Sequence, residues 1–111
     1  MAVIVNTSDP PALLKAIRSK ITEGAITKWS LDSDGDFTYS VPQWSRKAWF
    51  RPKVSTDRIV FMILPPQKAR MNVTTYAVYH GRFIEMLLEH FDTKFEQASS
   101  TALPAEGDQV K

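Results

Sequence analysis

Apolar side chains first return at helical spacing. Leu13, Leu14, Ile17 and Ile21 share one face, with Lys15, Arg18 and Thr22 opposite. The pattern predicts a helix. Ser8 or Asp9 can cap its start, Pro10 and Pro11 suit its first turn, and Gly24 marks its stop. The period then shortens to two. Trp29 and Leu31 alternate with Lys28 and Ser30, and Phe37, Tyr39 and Val41 alternate with Thr38 and Ser40. Alternation of β-favouring residues predicts half-buried antiparallel strands. Residues 42–47 read as a loop or a single helical turn. The stretches 48–54 and 58–64 form a second hairpin. Residues 65–70 break the chain before a second helix, from about Asn72 to Phe95. Val73, Tyr76, Ala77, Phe83, Ile84, Leu87, Leu88, Phe91 and Phe95 share its apolar arc. Ala2 to Val5 reads as a short edge strand or as a segment packed on the first helix.

The expected fold is α+β, in the order α-β-β-β-β-α. A meander of antiparallel strands carries two helices packed on one face. One domain spans residues 1–97, and residues 98–111 lack periodicity and are expected to be a disordered tail.

The alternation also sets the strand registers. If Trp29 faces Tyr39 and Leu31 faces Phe37, the apolar pairs land on one side. That leaves Ser33, Asp34 and Gly35 as a three-residue loop, closed by Asp32 opposite Asp36. Gly35 falls at the left-handed position such loops use. The aspartates also suggest a calcium loop of the EF-hand type, but Phe37 stands where its glycine belongs and Gln43 where its glutamate belongs. The turn reading is preferred. Its weak point is two like charges opposed across strands, which call for a cation or a lysine nearby. In the second hairpin, a loop at Thr56-Asp57 pairs Val54 with Ile59, Pro52 with Phe61 and Phe50 with Ile63, all facing the helices. Pro52 strains this register, because it cannot donate to a ladder.

Composition narrows the classes. The 111 residues are 43% apolar and 23% charged, as in an ordinary globular domain. The absence of cysteine excludes disulfides, thiol catalysis and thiolate metal sites. The N-terminus shows no secretory pattern, so a cytoplasmic location is expected. Net charge is +2, but residues 42–70 hold seven basic side chains against Asp57 alone. That block, more than the total, speaks of partners.

The block falls on the second hairpin. Its outward set is Trp49 beside Leu64, Arg51 beside Met62 and Lys53 beside Val60, with Trp44, Arg46 and Lys47 adjacent in sequence. Lys68 and Arg70 follow just before the second helix. A basic, aromatic and aliphatic patch on an uncovered sheet face marks an interaction surface. The first expectation is a non-enzymatic binding or regulatory module that docks a protein partner or its own copy there. The alternative is nucleic acid, with phosphates on the basic residues and unpaired bases on Trp and Met. A third reading leaves the patch idle, with Lys and Arg stems lying over the strand apolar residues. The element order resembles that of double-stranded RNA-binding domains, in which a basic cluster precedes the last helix. The lysine- and alanine-rich helix start of those domains is missing.

Little else suggests chemistry. His80 lies at the centre of the second helix's apolar arc, and a buried, hydrogen-bonded histidine is expected there rather than a general base or pH switch. His90 lies on the flank with Tyr79 and Met86, without metal-site spacing. Glu85 and Glu89 read as plain surface. No HExxH, phosphate loop or nucleophile elbow occurs. No cofactor, metal, membrane contact or small-molecule substrate is expected. Gly81 inside the helix suggests close approach of the sheet backbone.

Overall fold

A computed structural model describes residues 2–66 and 72–102. Eight elements follow in order: β1 (Ala2–Asn6), α1 (Pro10–Thr22), β2 (Trp29–Leu31), β3 (Phe37–Tyr39), β4 (Trp49–Val54), β5 (Arg58–Leu64), α2 (Val73–Phe91) and β6 (Gln97–Ser100). The class is α+β, and the four-strand meander between two helices is present. The strands form one antiparallel sheet in the order β2-β3-β4-β5-β1-β6.

Two strands lie outside the expected order. β1 is an interior strand rather than an edge, and its main helix contacts are with α2, not with the helix that follows it. It pairs with β5 on one side and β6 on the other. Its alternating residues are apolar on both faces, the mark of an interior strand. β6 occupies part of the expected disordered tail, since residues 98–100 are paired. Gln-Ala-Ser-Ser offers no large apolar residue to signal a strand. It is held instead from its ends, where Glu96 donates to the Asn6 carbonyl and Thr101 to that of Ala2. Residues 103–111 lie outside the described residues. The leading strand also separates this topology from the helix-first order of double-stranded RNA-binding domains.

Because every pairing is antiparallel, β1 and β4 run the same way with β5 between them. β5 and β6 likewise flank β1. β5-α2-β6 is a split β-α-β unit with β1 inserted between its strands, whereas α1 carries the chain from β1 to β2 at the far edge.

Local chemistry explains the elements. The Asp9 side chain accepts from Ala12 N–H at the start of α1, and Pro10 and Pro11 sit where no intrahelical donor is needed. Asn72 caps α2 through Thr75 N–H. The expected pairings of the second hairpin all hold, and Ser55 N–H to Arg58 O at 2.9 Å closes its turn. Alternation from that bonded pair turns the Pro52 nitrogen away from β5. On that side β3 reaches β4 only at Phe37 opposite Phe50, so the missing N–H breaks no ladder bond.

Both helices cover one face. Phe83 of α2 is the hub, with ring centroids 4.7 Å from Phe61, 4.8 Å from Phe50, 5.0 Å from Trp29 and 5.8 Å from Phe37. The buried stripe of α2 is rotated from the expected arc. Tyr79 and Met86 are buried, while Leu88 and Val73 are 55% and 70% exposed. The first hairpin supplies Trp29 and Tyr39 on the Tyr79 side, where hydrophobicity alone could not place the stripe. The helix ends at Phe91, before Phe95. Gly81 is exposed, and a Cβ there would meet no atom within 4 Å, so close backbone approach does not explain it.

Candidate functional site

The face opposite the helices is laid out by cross-strand pairing. Trp49 stands beside Leu64, Arg51 beside Met62 and then Ala2, and Lys53 beside Val60, Ile4 and Ser99. Trp49, Leu64, Met62, Val60 and Ile4 are half-buried, and Arg51 and Lys53 are exposed. At the turn end, Ile4, Lys53, Val60 and Arg58 line a shallow depression of about 310 Å³ with residues 55–57. An antiparallel strand usually turns polar residues outward. Here five large apolar side chains occupy outward positions.

Arg51 is not a free cation. Its Nε donates to Asp36 Oδ1 at 3.1 Å and its Nη2 to Oδ2 at 2.8 Å. The Asp36 side chain is 4% exposed and that of Arg51 45%. These bonds, and then the Asp36 charge, raise the Arg51 pKa further above its ordinary value. Its folded pKa lies above the unfolded one. On the alkaline side, the contribution to stability therefore holds up to the ordinary arginine pKa and is lost only as pH rises through the folded one.

The same contact resolves the aspartate turn. Asp32 N–H donates to the Asp36 carbonyl, Gly35 N–H donates to that of Asp32, and Gly35 adopts φ +82°. Asp32 Oδ1 accepts from Asp34 N–H and Asp36 N–H, each at 2.9 Å. The hairpin has the expected three-residue loop. The carboxylates of Asp32, Asp34 and Asp36 lie within 4.8 Å of one another. Two of them are engaged, Asp32 by turn amides and Asp36 by an arginine where a cation or lysine was expected. Cross-strand spacing could have named Arg51, because Phe37 opposite Phe50 sets Asp36 opposite Arg51.

The adjacent loop divides its three expected residues. Trp44 packs against the core, while Arg46 and Lys47 are exposed. Arg46 has φ +59°, a left-handed conformation that costs a non-glycine residue about 1–2 kcal/mol. The loop is pinned by Tyr79, which the apolar pattern of the helix sets on a flank. The Tyr79 hydroxyl donates to the Trp44 carbonyl and accepts from Lys47 N–H. It also lies 3.2 Å from the Thr38 hydroxyl, which donates to the Ala48 carbonyl. Tyr79 itself is fully buried, so its one polar atom serves the gap where β3 and β4 part. Lys68 and Arg70 lie outside the described residues.

His80 is 4% exposed. Its Nδ1 donates to the Tyr76 carbonyl at 2.6 Å, and its ring meets those of Phe50 and Tyr76 edge-on. His90 Nε2 lies 3.7 Å from Glu89. No helix among the described residues is long and apolar enough to cross a membrane. No protein family, curated protein or solved structure matches the chain.

Proposed function

We propose that the chain is a non-enzymatic binding module whose outer sheet face docks a protein surface that is apolar at its centre and acidic at its rim. The carrying observation is the half-buried strip of Trp49, Leu64, Met62, Val60 and Ile4, which no helix among the described residues covers. Aromatic, Met and Arg side chains are enriched at protein interfaces. Lys53 on the face and Arg46 and Lys47 at its end supply the positive rim. A protein partner is favoured over nucleic acid because two of the five described basic residues of the block face an acid of the chain itself. Arg51 is held by Asp36, and Arg58 lies 3.6 Å from Asp57.

The test uses a peptide of alternating Glu and Leu as probe, with a Lys-Leu peptide and a single-stranded oligonucleotide as controls. The Glu-Leu peptide is expected to shift the Met62 methyl and Trp49 indole resonances, and Met62→Asp to abolish the shift. Salt-sensitive shifts from the oligonucleotide alone would transfer the face to nucleic acid. Light scattering at twice the monomer mass, returned to monomer by Met62→Asp, would make the partner a second copy.

A further inference from the structure

We propose that a second site, the cleft between α1 and the tip of the β4–β5 hairpin, binds a small carboxylic acid with an apolar body. It lies on the helix side of the sheet, so it stands or falls apart from the docking face.

The cleft measures about 620 Å³, and Pro11, Leu14, Lys15, Arg18, Ser19 and Val54 are among its lining residues. Pockets for small ligands run from roughly 300 to 1,000 Å³. The sequence makes the cleft in two steps. Residues 11, 15, 18 and 22 follow one another along a single stripe of α1. Val54 pairs with Ile59 in the helix-facing set, yet α1 packs over β2 and β5 and leaves Val54 42% exposed. Pro11, Leu14 and Val54 thus offer apolar surface.

The cations decide the ligand's charge. Among the described residues, neither Lys15 nor Arg18 has a carboxylate at salt-bridge distance. Arg18 donates from Nη2 to the Gly35 carbonyl at 3.2 Å, and its guanidinium lies over the Phe37 ring at 5.9 Å. Its Nε is buried without a hydrogen-bond partner. A buried donor on a charged group that lacks an acceptor is costly. Lys15 and Arg18 thus bring two cations to the cleft wall with no carboxylate against them, and an anion would balance them.

A carboxylate can accept from the Lys15 ammonium and take a charge-assisted contact from the Arg18 guanidinium. The apolar surface requires a body as well as a head. Glu23 at the far end of the cleft, beside the negative end of the α1 dipole, disfavours a second anionic group. The ligand is therefore a monoacid, with its head at Lys15 and Arg18 and its body over Leu14 and Val54.

Octanoate is the probe, titrated into the full chain and followed by NMR. It is expected to shift the Val54 and Leu14 methyls and the Arg18 Nε–H together. Octan-1-ol should bind at least about tenfold more weakly, the range of a lost charge-assisted hydrogen bond. Arg18→Gln should weaken octanoate by a similar factor, and Val54→Asp should remove binding at an unchanged melting temperature. The proposal is overturned if octanoate leaves Val54 and Arg18 Nε–H unmoved, or if octanol binds as well. It is equally overturned if folded Arg18→Gln keeps wild-type affinity. Inorganic phosphate that shifts Arg18 Nε–H as strongly as octanoate would reduce the site to a plain anion contact and overturn the apolar half.

Discussion

Val3, Val5, Phe50, Ile59, Phe61 and Ile63 are fully buried beneath the two helices. Their neighbours one residue along, Ile4, Trp49, Val60, Met62 and Leu64, face the other way and stay half-buried. The backbone and the strand register are shared. Only the helix side is closed by aromatic rings centred on Phe83. Apolar character along a strand thus has two sources, and the pleat sorts them. One set holds the fold together, and the other remains available.

The comparison breaks most visibly at Phe83. Phe83→Ala should cost about 3–5 kcal/mol in urea unfolding, because four ring contacts are lost around a cavity. Met62→Ala on the open face should cost about 1 kcal/mol or less, since part of that side chain already meets water. Equal costs would show that the two faces are not built differently. Next comes Tyr79, whose ring belongs to the closed face while its hydroxyl orders the loop beside the open one. Tyr79→Phe should cost about 1–2 kcal/mol, and it should move amide resonances in residues 41–48 more than those of α2. A silent loop would show that the hydroxyl positions nothing. The smallest expected effect has the opposite sign. Gly81→Ala, on the exposed back of α2, should stabilise by about 0.5–1 kcal/mol, read as a higher urea midpoint. A loss would reveal a contact that the open space around Gly81 does not show.

Much of this was legible in the chain. Period-two alternation and turn chemistry gave both hairpin registers, including the left-handed Gly35 and the Thr56-Asp57 loop. The outward set of the second hairpin followed from the same count. What escaped depended on distant partners. Whether Ala2–Val5 is an edge or an interior strand depends on β6, and Gln97–Ser100 carries no strand-like side chains. The α2 stripe could not be set from hydrophobicity, because Tyr79 and Met86 suit either a flank or a core until Trp29 and Tyr39 arrive. Arg46 gave no sign of its left-handed backbone, since nothing local demands it. Arg51 reads as free charge within the basic block until Asp36, across the strand, is set against it.

β1 also constrains the order of folding. It precedes the other strands of the sheet, yet it is an interior one, and both its partners lie late in the sequence. One bond at its end joins Ala2 to Thr101, 99 residues apart in sequence. Until β5 and β6 exist, Ala2–Val5 is an apolar segment with two unpaired edges. Such long-range pairing slows closure and leaves the waiting strand prone to mispairing with other chains. The sheet is completed by its weakest-looking strand, so a chain cut before residue 97 would leave an edge of β1 open.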